Sequence, residues 1–284
     1  MAAAHAMFTG EGLDLAAFVQ TFGLSLASFL HELKRAGAVV TGADVVSFMA
    51  GEWKESLRLR PRAVILDVLC HGYKARGALA LFLTRSGYRL NPYACRHRIG
   101  EWASVRAERR VCLVKGDLSQ RVIHLVELQR PVEEVLLSRI YGTLVGNYIT
   151  GVGRIVSLFP RMSFVERRGW FPSGVTAVDV AGLTAKYVGW RCLVGDGDEA
   201  GDEVTYWFRK TLDRYCWVLR CDLHGHVQDS QRPALPGDVP GDEMEVSDER
   251  EASRKGFAVF FPQMKASLNA GACVYDRETW ECTT

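Results

Sequence analysis

Residues 36–70 constrain the fold more than any other stretch. They read AGAVVTGADVVSFMAGEWKESLRLRPRAVILDVLC. A short β-prone run, Ala38-Val39-Val40, breaks at Thr41-Gly42-Ala43, and Asp44 opens a helical run through Val45, Val46, Phe48 and Met49. Residues 51–61 are polar and end in proline, which makes them a loop. Residues 62–70 read as a strand, and after Arg62 they are continuously apolar except for Asp67, the pattern of burial on both faces. A strand, a glycine turn, a helix and an acid-bearing strand is the layout of an α/β phosphate-and-metal site. The helix start exposes unpaired N–H groups and a partial positive charge, and glycine lets a ligand approach the backbone. Thr41, Gly42 and Ala43 are therefore the candidate phosphate-binding residues. Asp44, a first-turn acid, opposes that role by its charge and is instead a candidate acid of the site.

The flanking segments continue the α/β pattern. Residues 25–37 predict a helix: Leu26, Phe29, Leu30 and Leu33 make one stripe, with Ser25 as N-cap, Lys34 and Arg35 in the last turn and Gly37 as stop. Residues 74–86 predict another helix, stopped by Gly87. Residues 109–115 and 121–128 read as two strands of a hairpin. Pro131, with Glu133 and Glu134 behind it, starts a helix. A helical piece is expected over 143–150 and a strand over 154–159. Past about residue 190 the texture changes. Residues 195–203 and 228–254 read as acidic flexible loops, and 256–262 as a strand. This gives two expected units, 1–190 and a C-terminal extension, 191–284.

Charge follows the same division. Residues 1–190 carry 24 Lys and Arg against 15 Asp and Glu, and residues 191–284 carry 11 against 18. A basic excess this mild does not hold nucleic acid tightly by counterion release. Residues 85–110 are nonetheless rich in arginine, with Tyr88, Tyr93 and Trp102 among them, which suits a nucleotide or an ordinary exposed sheet face. No apolar run reaches membrane-spanning length, and the N-terminus lacks the features of a secretory signal. Eight cysteines without a CxxC pair then read as reduced thiols, so the expected compartment is cytoplasmic or nuclear. Cys216, Cys221, His224 and His226 are a conceivable zinc set, but their spacing matches no common finger, and no metal site is expected from them.

The order of motifs AVVTGADVVSF, an apolar strand, RVIHLVELQRPVEEVL and IYGTLVGNYITGVGRIVSLFP resembles a group of fungal proteins related to the polymerase-β-type nucleotidyltransferase fold. The likeness covers about residues 26–170 and includes Thr143, Val145, Asn147, Ile149, Thr150 and the pair Phe159-Pro160. It implies a mixed sheet flanked by helices, with a helical or α+β C-terminal extension. It also implies an Asp-x-Asp strand and a third acid on a neighbouring strand, together holding two Mg²⁺ ions and a nucleoside triphosphate. Matched by pattern, those acid positions are Ile65, Asp67 and His124, so one carboxylate of three remains. The expectation is a degenerate nucleotidyltransferase: a non-catalytic binding or interaction domain, with at most a vestigial nucleotide pocket at Thr41, Gly42, Ala43 and His124. The alternatives are an active nucleotidyl- or phosphotransferase that uses Asp67, Asp44 and Glu127 with Mg²⁺, and a scaffold that binds neither nucleotide nor metal.

Overall fold

The computed structural model describes residues 10, 12–55, 64–91, 107–116, 121–138, 142–172, 177–195, 216–222, 224–231, 274–275 and 282–283. Among these, a large mixed sheet is flanked by helices. The helices are α1 (Leu15–Thr21), α2 (Leu26–Ala36), α3 (Ala43–Met49), α4 (Tyr73–Arg85), α5 (Val132–Ser138) and α6 (Ala177–Lys186). The first seven strands are β1 (Val39–Thr41), β2 (Val64–His71), β3 (Arg89–Leu90), β4 (Ala107–Lys115), β5 (Arg121–Leu128), β6 (Asn147–Thr150) and β7 (Arg154–Ser157). Then come β8 (Arg168–Pro172), β9 (Arg191–Gly195), β10 (Trp217–Cys221) and β11 (Val227–Gln231). The nine-stranded sheet runs β11-β10-β7-β6-β1-β2-β5-β4-β3, with β2 and β5 parallel and its other neighbours antiparallel. Strands β8 and β9 form a separate parallel pair. No helix among the described residues is long and apolar enough to cross a membrane.

Side-chain alternation splits the core. Leu66, Val68 and Cys70 of β2 pack with Ile123 and Leu125 of β5 under Phe18, Phe22, Leu33, Phe48 and Leu79 of the helices. Leu69, Val126 and Leu128 point the other way and meet Val132, Val135 and Leu136 of α5. Helix α2 ends as its sequence predicts. Gly37 is left-handed (φ 56°), and the N–H groups of Gly37 and Ala38 return to Lys34 and Leu33. Helix α4 repeats that ending at Gly87 and Tyr88.

Two hairpin tips touch helix backbone. A Cβ on Gly151, between β6 and β7, would lie 2.0 Å from the amide nitrogen of Lys34 in α2. One on Gly225, between β10 and β11, would lie 2.6 Å from that of Ala16 in α1. The Gly225 carbonyl also accepts from the Leu15 N–H at 3.0 Å.

Some expectations change in the structure. Residues 143–150 form a 3₁₀ turn (Thr143–Gly146) and strand β6 instead of a helix. The β-branched and aromatic residues of NYIT find partners on both sides, in β1 and β7, and sheet pairing overrides the local reading. Residues 228–231, expected to be loop, form most of β11 and pair with β10. The strand expected over 256–262, the acidic loop over 195–203 apart from Gly195, and the remainder of 228–254 lie outside the described residues. Strands β10 and β11 extend the same sheet, and β8 pairs with β9 across residue 190.

Lys115 joins the first helices to the sheet. Its Nζ donates to the Ser86 carbonyl beyond α4 (2.6 Å) and to the Gly23 carbonyl beyond α1 (3.1 Å), and it lies over the Tyr88 ring. A cation on two helix C-termini is favoured by both dipoles. Lys115→Met keeps most of the stem and removes the charge, so it should cost about 1–2 kcal/mol in denaturant unfolding with an unchanged m-value.

Candidate functional site

The parallel register of β2 and β5 sets Asp67 beside His124, and the antiparallel pairing of β1 sets Thr41 beside Asp67. Cys112 of β4 completes the row next to His124. Asp67 is 1% exposed and His124 2%. His124 Nδ1 lies 2.8 Å from Asp67 Oδ1, and Lys186 Nζ, at the end of α6, donates to Asp67 Oδ2 at 2.7 Å. Arg110 Nη2, two pairs further along β4 and so on the same face, lies 2.9 Å from His124 Nδ1 and 3.4 Å from Nε2.

These contacts fix the protonation states. Burial by itself would raise the Asp67 carboxyl, but the Lys186 ammonium, the hydrogen bond from His124 and the Arg110 guanidinium overcome it and hold the group well below the usual carboxylate range. Burial lowers His124, aided by Arg110 and Lys186 and opposed by Asp67. The imidazole is therefore neutral, and its contact with Asp67 is a hydrogen bond rather than an ion pair. An ionised Asp67 only accepts, so Nδ1 carries the proton; Arg110 Nη2 approaches that same nitrogen at 2.9 Å, and the only lone pair left for it to donate to is that of Nε2, at 3.4 Å.

The glycine turn closes on the same carboxylate. Gly42 has φ 104°, and a Cβ there would stand 2.8 Å from Asp67 Oδ2. Thr41, Gly42, Ala43 and Asp44 are all buried. Thr41 Oγ1 is directed at the Val145 and Asn147 carbonyls, at 3.0 and 2.8 Å. Asp44 Oδ2 accepts from the Ile65 N–H at 2.7 Å and so fixes the start of β2.

The structure thus brings Thr41, Gly42, Ala43, Asp67 and His124 together, with Asp44 on the backbone of the same strand. It does not bring Glu127 there. Glu127 is three residues beyond His124 and points to the opposite sheet face, where Arg76 of α4 holds it at 2.8 Å. On that face burial, and then the Glu127 charge, push the Cys70 thiol up to about 12. Ile65, at the first expected acid position, packs against Cys112, Val114 and Val122. The zinc set divides as well: Cys216, just before β10, and Cys221, at its end, belong to different core clusters, and the His224 and His226 N–H groups donate to Asp222 Oδ1.

Two residues of the site were not singled out individually by sequence. Arg110 was visible only as part of a basic stretch. Lys186 ends a mostly apolar helix and stands 119 residues from Asp67, so only its burial in the fold reveals its partner. The group does not fit Mg²⁺. Its one carboxylate is engaged at both oxygens, and its other charged members are cations. Among the described residues no three His, Cys, Asp or Glu side chains converge on a common point suited to a metal.

Gly42→Ala meets both an unfavourable backbone region and the Asp67 carboxylate, and should cost about 2–3 kcal/mol. Gly77→Ala, in the interior of α4 with open space around it, should gain about 0.5–1 kcal/mol in the same unfolding assay. The pH response follows from the two shifts. Asp67 contributes stability that is present above the unfolded value of 3.8 and is lost as the pH falls towards its lower folded value. Because the folded His124 pKa is depressed, the unfolded chain takes up the extra proton below 6.5. His124 therefore makes stability fall as the pH drops through that value, by up to about 1.4 kcal/mol per pH unit. His124→Gln should remove this share of the slope between pH 6.5 and 5 in urea titrations; an unchanged slope would mean that His124 is charged in the fold.

No family model, curated protein or solved structure matches this chain, so what the site can do follows from its own geometry.

Proposed function

We propose that this chain is a nucleotidyltransferase-like domain without transferase chemistry, acting as a binding or interaction domain. The order α2–β1–glycine turn–α3–β2 and the side-by-side placement of Asp67 and His124 support the likeness. Pattern matching puts two of the expected acids at those two positions, and neighbouring strands are where a shared metal would need them.

The observation that carries the non-catalytic reading is the state of Asp67. Two-metal phosphoryl chemistry needs carboxylate oxygens free to bridge cations. Here Lys186 and His124 hold both oxygens inside the core, and the carboxylate lies against Gly42, in the space a phosphate would need. A nucleotide at this turn would have to displace a buried, doubly bonded carboxylate, a loss of several kcal/mol. The interaction reading is therefore favoured over a nucleotide pocket.

Thermal-shift measurements with each nucleoside triphosphate, with and without Mg²⁺ or Mn²⁺, should leave the melting temperature unchanged, and nucleotidyl transfer should stay at background. Triphosphate turnover by the unmodified protein that disappears in Asp67→Asn would refute the proposal.

A further inference from the structure

We infer that Lys186 is the resident cation of the Asp67 site: its ammonium fills, through a covalent tether, the position an exchangeable metal would otherwise hold. The inference rests on the nucleotidyltransferase-like reading only for the idea that a metal belongs there. The ion pair itself stands on geometry.

Lys186 is 8% exposed and Asp67 1%, with Nζ 2.7 Å from Oδ2. Lysine is almost never buried to this degree without a partner, and an unpaired carboxylate at the same depth would be equally costly. Each charge therefore needs the other. The helix that delivers Lys186 is anchored by apolar neighbours, with Leu183, Tyr187 and Trp190 all in the main core, so the ammonium is placed by packing. Its class is also set. The opposite oxygen of Asp67 is taken by the His124 N–H, which leaves a single carboxylate oxygen, Oδ2, for a cation. One oxygen suits a hydrogen-bonding ammonium and disfavours a divalent ion, which needs several oxygen ligands. Shortening Lys186 should thus open a seat selective for a primary ammonium ion.

The test uses Lys186→Ala in the full chain. Its melting temperature should drop, then recover progressively with methylammonium or ethylammonium chloride as mass action requires. Tetramethylammonium at equal ionic strength has no N–H to donate and should not restore it. Neither Mg²⁺ nor Mn²⁺ should do better than ethylammonium. The double variant Lys186→Ala/Asp67→Asn should lose the ammonium response, and the unmodified protein should show none. If Lys186→Ala fails to fold in ordinary buffer, refolding in ethylammonium supports the inference, and failure to refold there overturns it. A folded Lys186→Ala that ignores ammonium ions, or that Mn²⁺ stabilises more strongly, also overturns it. None of those results bears on nucleotide turnover by the unmodified protein, so this inference and the non-catalytic reading can fail separately.

Discussion

A carboxylate with almost no access to water, held between an ammonium and an imidazole, is the interaction on which the centre of this fold depends. Taking Asp67 and Lys186 out of water is expensive, and their attraction offsets that cost only while the geometry holds. It therefore fixes several things together. It sets the position of β2 against β5 through His124 and draws the end of α6 to the sheet. It also limits the turn after β1 to a residue without a side chain, because Asp67 Oδ2 occupies the space. Such a pair adds little net stability over an apolar replacement, but breaking one half of it is severe, which makes it a strong specifier of arrangement.

The helices and the central strands were legible in the sequence because their signals are local. The stripe Leu26, Phe29, Leu30, Leu33 and the glycine at 37 are enough to define α2 and its ending. The continuous apolar run around Asp67 gave β2 for the same reason, and Gly42 was identifiable as a turn. Residues 143–150 were misread because their conformation is decided by β1 and β7, more than a hundred residues away in one case and a few residues away in the other. Strand β11 was hidden in a polar segment because an edge strand needs only one partner and few apolar residues.

The candidate site was half legible for a related reason. Asp67 and His124 could be paired from the motif order, since parallel strands in register bring equivalent positions together. Their protonation states could not, because these depend on Lys186 and Arg110, and nothing near either residue in sequence points to Asp67. Asp44 shows the opposite case. As a first-turn acid it suggested chemistry, whereas its carboxylate holds the Ile65 amide at the entrance to β2.

The contact between Gly225 and the first turn of α1 has a consequence for synthesis. Helix α1 begins at Leu15, yet the carbonyl that accepts its first N–H belongs to residue 225. A ribosome adds ~5–20 residues per second, so the start of α1 waits on the order of 10–40 s for that partner to be made. During that interval Phe18 can already pack on Phe48 and Trp53, which emerge early, while the end of the helix that Gly225 later covers stays open. The first of the described helices is thus among the last elements to be completed.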